Sequence, residues 1–192
     1  MKKALIKISK INSGYIFFKK AIPDVHGKYA VVFISDISHS SVLRSRPSTY
    51  ELPTEPEPPH FLKRGDILVQ ARGKVRIIYV ETDLANTIAS SNFLVVRVAE
   101  DKILGRYLAW YLAQKPAQQF LERGQQGQTV AMLSKKILSE LPVMVPSFER
   151  QKQIVKVIET KEHYFDLMQT IQKKYERVFD AIAIKEFGGF FT

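Results

Sequence analysis

Cysteine is absent from the 192 residues. Disulfides and thiolate metal sites are therefore excluded, and a reducing compartment suits the chain. Long apolar runs are absent too, since no window approaches the roughly 18 uninterrupted apolar residues of a membrane span. The start, Met1-Lys2-Lys3-Ala4-Leu5-Ile6-Lys7, is basic, but Lys7 and Lys10 interrupt any apolar stretch of a signal peptide. A cytoplasmic protein is the expectation. Histidine is scarce: His26, His39, His60 and His163 are scattered, without metal-ligand spacing. The chain has no G-x-x-x-x-G-K-[ST] and no G-x-G-x-x-G, so neither glycine-rich phosphate cradle is present.

The remaining catalytic candidates are weak. A metal-dependent nuclease needs clustered carboxylates. Asp66 with Glu81 and Asp83 could be imagined in that role, but no nuclease pattern accompanies them. Glu57-Pro58-Pro59-His60 superficially resembles the acidic-or-Asn-Pro-Pro-aromatic motif of amino-methyltransferases. It ends in His instead of an aromatic, follows no strand, and has no glycine-rich cofactor loop before it. No catalytic residue, metal or cofactor is expected.

Hydrophobic residues make up 45% of the chain, enough for a core. Basic residues outnumber acidic ones by 29 to 19, a net charge of +10. The surplus is unevenly placed: residues 147–192 hold 8 basic and 7 acidic side chains, residues 1–146 hold 21 and 12. A cation surplus confined to one domain suggests a polyanion partner, with a generally basic surface as the alternative.

The first 146 residues read as an α+β globule. Tyr15-Ile16-Phe17-Phe18 is aromatic and β-prone, and Tyr29 to Ile34 reads as a buried strand. Residues 38–60, with five prolines and with Arg44 and Arg46 near the start, read as a long polar loop. Such a loop is either functional or a surface excursion. Strands are expected at Ile67–Val69, Val75–Val80 and Phe93–Val98, and helices at Ile103–Ala113 and from Pro116 to about Arg123. Ser134 can cap a short helix, and Leu141 to Pro146 is an extended exit.

From Ser147 the character changes, with no Gly or Pro before Gly188. Apolar residues recur at Ile154, Val157, Tyr164 and Met168, then at Ile171, Tyr175, Val178 and Ile182. The steps alternate three and four if Lys161 is an in-register interruption, which is a heptad seam. A helix of about 39 residues would extend roughly 58 Å. It needs a partner helix to cover its stripe, unless it folds back on its own core.

Phe61 to Gly73, containing Gly65-Asp66-Ile67-Leu68, resembles the "GDIL…G" segment of type I restriction-modification specificity subunits. Leu104–Leu112 matches the helix after it, and Gly127 to Ser134 resembles the family's loop into a short helix. Leu141 to Ile154, with Pro146, Gln151 and Ile154, closely resembles the junction between a target-recognition domain and a long helix. Full members have two such domains and two helical regions, and this chain has one of each. The resemblance implies a target-recognition domain at 1–146 with a twisted β-sheet and a few short helices. A coiled-coil-type dimerisation or spacer helix and tail follow at 147–192. It also implies a non-catalytic subunit that reads one half of a bipartite DNA site. Its partners would be double-stranded DNA, adenine methyltransferase subunits carrying S-adenosylmethionine, and the restriction subunit; the half length and the heptad seam add a second copy paired through the helix.

Base readout needs Arg, Asn, Gln, Ser or Thr on exposed loops, and phosphates need flexible cations. The candidates are Arg44 and Arg46; Gln70, Arg72, Lys74 and Arg76; and Gln125, Gln126, Gln128 and Thr129. Ser90, Ser91 and Asn92 form a weaker group, and Lys19 and Lys20 suit phosphate. Arg72 with Lys74 is the leading pair, because Gly73 lets the backbone approach closely. Phe17, Phe18, Phe33, Phe93, Trp110 and Phe120 are expected in the core, while Tyr50 and Phe61 are left open. The competing readings are a basic coiled-coil module that binds protein or nucleic acid without sequence specificity, and a self-contained DNA enzyme.

Overall fold

The computed structural model describes residues 1–17, 22–37, 42–52, 60–125 and 132–187. The chain divides into two compact units, Met1–Gln151 and Lys152–Thr192. The described strands are β1 (Lys2–Ala4), β2 (Ser9–Ser13), β3 (Tyr29–Val32), β4 (Val42–Leu43), β5 (Thr49–Tyr50), β6 (Ile67–Gln70), β7 (Ile77–Val80), β8 (Thr87–Ala89), β9 (Phe93–Val98) and β10 (Pro142–Met144). The helices are α1 (Gly105–Leu112), α2 (Lys115–Gln125), α3 (Lys135–Glu140) and α4 (Phe148–Phe187).

The main sheet runs β2-β9-β6-β7-β4. Its centre is β6, whose Ile67-Leu68-Val69 run is buried at every position. An uninterrupted apolar strand of that kind is covered on both faces. A second sheet, β5-β3-β8, lies under its own aromatic cluster of Tyr15, Tyr29, Val31, Tyr50, Leu52 and Ile88. Strand β3 serves both cores by alternation: Val31 joins this cluster and Val32 joins the main one around Leu68, Ile78 and Phe93. The third sheet is the pair β1–β10, with Lys2 opposite Met144 and Ala4 opposite Pro142.

The helices start where local chemistry directs. Ser134 Oγ accepts the Ile137 N–H at 3.2 Å and caps α3. Pro116 sits in the first turn of α2, where its missing N–H costs nothing. Gly124 is where α2 meets α3: a Cβ there would collide with the Ile137 side chain. Helix α4 runs 40 residues without Gly or Pro. It is about 60 Å long at ~1.5 Å per residue. Ser147 Oγ accepts the Arg150 N–H at its start.

The chain thus has the expected α+β class, with twisted sheets, a few short helices and a long C-terminal helix. Three local expectations are corrected. Residues 38–60 are not one structureless loop: β4 pairs with β7 and β5 with β3. The strand expected from Val75 begins at Ile77. Of the aromatic run at 15–18, only Tyr15 makes a bridge, to Ser90, and Phe18 lies outside the described residues. Strand β8, three residues long, lies where the sequence assigns no element. Among the described residues, no helix is long and apolar enough to cross a membrane.

Candidate nucleic-acid interface

The β6–β7 hairpin ends in a turn at 70–76 that the backbone fixes closely. Gln70 N–H donates to the Arg76 carbonyl at 2.9 Å, and Gly73 takes a φ of +72°. That conformation is cheap only for glycine. The Gln70 side chain folds inward, and its Nε2 donates to the Arg72 carbonyl at 2.7 Å. Gln70 is 6% exposed, so it braces the turn from within instead of standing on an exposed loop. Its Oε1 is buried and accepts no hydrogen bond from the described residues. Arg72 and Lys74 are exposed on the outer side.

Two other segments converge here. Ala71 N–H donates to the Asn92 carbonyl at 2.7 Å, which places Ser91 and Asn92 alongside; Ser90 is buried. Leu133 N–H donates to the Ala71 carbonyl, and Met132 bridges to Arg72. Gln125 Nε2 lies 3.5 Å from the Gly73 carbonyl oxygen. The residues that flank 126–131 on both sides therefore meet the turn. Gln126, Gln128 and Thr129 lie outside the described residues, as do Lys19 and Lys20.

The other candidates are placed differently. Arg76 is half-buried, and its Nη1 donates to the Ile37 carbonyl at 3.0 Å. Arg44 lies at the opposite end of β7 from the turn, with its Nε 2.5 Å from Glu81 Oε2. Arg46 is exposed beyond β4. The structure joins the 70–76 group with Gln125 and leaves Arg44 apart from them.

The imagined carboxylate cluster has other partners. Asp66, 1% exposed, accepts two bonds from Arg97, from Nε at 2.7 Å and Nη2 at 2.6 Å. Those hydrogen bonds raise the Arg97 pKa above its ordinary value. Asp66 also accepts the Lys63 N–H, and Asp83 accepts the Arg64 N–H. Among the described residues, no three His, Asp or Glu side chains group as metal ligands.

The aromatics divide. Phe93 is fully buried, whereas Phe17 and Phe33 pack half-buried against the second core, and Trp110 and Phe120 are half-buried. Tyr50 is buried edge-on to Phe33, and Phe61 tilts on Tyr29. Within the junction motif, Gln151 has a structural role that its spacing does not reveal. Gln151 is fully buried; its Oε1 accepts the Leu104 N–H at 2.8 Å, and its Nε2 donates to the Pro146 carbonyl at 3.0 Å. It ties the first turn of α4 to the start of α1 and to the exit strand. Tyr107 adds a bond to the Met144 carbonyl, and burial, with Tyr111 beside it, raises the pKa of its hydroxyl.

In the second unit the seam is bare. Val157, Tyr164, Met168, Ile171, Tyr175, Val178 and Ile182 are all exposed, from 39% at Ile171 to 73% at Tyr175, and Ile154 is half-buried.

The family model of the type I restriction modification DNA specificity domain matches residues 1–177, and the chain belongs to that family. Solved structures share the fold. The S subunit of a type I restriction-modification system from M. genitalium aligns over 98% of this chain at TM-score 0.65 and 12% identity. The HsdS subunit from Thermoanaerobacter tengcongensis aligns over 96% at TM-score 0.65 and 15% identity. A structure describing complex assembly and conformational transition of the type I R-M system aligns over 95%, with the same score and 15% identity. The chain spans 46%, 47% and 43% of those chains respectively, about half their length. No curated protein matches it.

Proposed function

We propose that the chain is a half-length specificity subunit that reads one half of a bipartite DNA site and catalyses nothing itself. Residues 1–146 serve as the target-recognition domain and 147–192 as the dimerisation and spacer helix. Two copies pair antiparallel through the α4 seam and hold two recognition domains apart. Adenine methyltransferase subunits dock on this pair and supply the methylation chemistry, and the restriction subunit is a further, cytoplasmic partner.

The observation that carries this reading is the convergence at Gly73. Arg72 and Lys74 stand exposed on a braced turn, with Gln125 and Asn92 beside them. Arg can pair bidentately with guanine O6 and N7, and lysine suits phosphate. Arg44, Arg46 and Arg76 supply secondary phosphate contacts, and Gln126, Gln128 and Thr129 complete the reading surface. Gln70 acts by fixing the turn. The pairing half rests on the bare seam, which an isolated helix of this length would leave in water.

The experiment is co-expression with an adenine methyltransferase of the same system, followed by genome-wide mapping of methylated adenines. A split motif with fixed spacing is expected. Methylation without a motif would defeat the assignment.

A further inference from the structure

The concave surface where β2 meets β9 has no part in the recognition just described. It holds about 370 Å³, and its lining includes Lys7, Lys10, Arg97 and Lys102 together with Ser9 and Val98. Among the described residues no carboxylate lines it. Glu100 and Asp101 stand in the adjoining loop, and neither pairs with these lysines. Arg97 is compensated, since its Nε and Nη2 face Asp66 and the Phe61 carbonyl. The three ammonium groups have no such counterpart. Lys10 stands directly opposite Arg97 across the antiparallel pair, and Lys102 Nζ lies 3.5 Å from the Lys7 carbonyl oxygen. Three ammonium groups without a facing carboxylate give the concavity a positive potential that favours an anion.

We infer that this concavity holds a backbone phosphate of duplex DNA, on the flank of the bases read at the Gly73 turn. The inference rests on the DNA-reading function proposed above. Register sets the distance. Gln70 pairs with Phe93, and Ser9 pairs with Val98, five residues further along β9. At ~3.3 Å per residue that is about 17 Å. A duplex carries a charge every ~1.7 Å of its axis, so one that touches the turn offers phosphates over the whole interval. Lysine is a flexible point charge, suited to an anchor that carries no sequence information.

The test replaces the three exposed lysines together in the full chain, as Lys7→Gln, Lys10→Gln and Lys102→Gln. Binding to a labelled mixed-sequence duplex is measured by anisotropy between roughly 50 and 200 mM KCl. The slope of log affinity against log salt should flatten by about 0.9 for each lysine that meets a phosphate. The loss should be equal on every sequence, with the melting temperature unchanged. An unchanged slope, while the wild type binds duplex, overturns the inference alone. A wild type that binds no duplex at any salt sinks the proposed function and this inference together. Inorganic phosphate alone, read by thermal shift, should stabilise neither protein. A shift lost in the triple variant would make this a small-anion site and overturn the duplex assignment. Loss of methyltransferase co-purification with duplex binding intact would assign the lysines to a protein surface and overturn it as well.

Discussion

Arg72 stands on a turn whose backbone is pinned by Asn92, Leu133 and the Gln70 side chain, so its side chain projects from a rigid base. If it reads a guanine, Arg72→Ala should weaken binding to the cognate duplex by about 1–3 kcal/mol and relax specificity at one position. Anisotropy on cognate and scrambled duplexes separates the cases, because an equal loss on both makes Arg72 a phosphate contact. Asp66 poses a question of stability instead. Asp66→Ala would leave Arg97 without its bidentate partner and the Lys63 N–H without its acceptor. Breaking a buried pair from one side costs about 3 kcal/mol or more. A urea midpoint that barely moves would show the pair to be dispensable. Gln151→Leu keeps the volume but strips partners from the Leu104 N–H and the Pro146 carbonyl. About 1–3 kcal/mol for each orphaned group is expected in the same measurement.

Among the elements, α4 invites the sharpest test. Ile171 lies mid-seam and exposed, so Ile171→Glu should abolish self-association in light scattering and leave the circular dichroism of the globule intact. A dimer that survives the change would place the contact elsewhere. The same helix was legible in the sequence because its signal is long: a heptad seam with no Gly or Pro between Ser147 and Gly188. Strand β9 was legible for a related reason, as six residues of continuous β-prone sequence. By contrast β1, β4, β5 and β8 have two or three residues each, too few to show a period. Tertiary pairing, not local pattern, makes them strands. The candidate site was half legible. Gly73 and its flanking cations could be read as a turn, but the inward fold of Gln70 depends on the Arg72 carbonyl position, which no spacing rule encodes. The buried role of Gln151 was equally hidden: an exposed-looking residue type in a helix start meets two backbone groups from distant segments.

For the whole molecule, the governing fact is that the chain covers less than half of each similar solved chain it was aligned with. If two copies pair as proposed, recognition domains related by a two-fold axis can read only a site that is its own inverted repeat. The methylated motif should therefore be palindromic about its spacer. An asymmetric motif would mean that two different chains combine. The cation surplus of residues 1–146 bears on the kinetics of the proposed function too, because it would steer encounter with DNA before any base is read.

Strand β1 lies against β10, with the Met1 carbonyl accepting the Val145 N–H, so the first unit begins and finishes at one spot. A body whose entry and exit coincide behaves as a cassette. Another domain of different preference could be grafted before the same helix by joining after Gln151, so that its buried contact with Leu104 stays inside the exchanged body. A change of target would then require one exchange of a contiguous segment, not coordinated substitutions through the core.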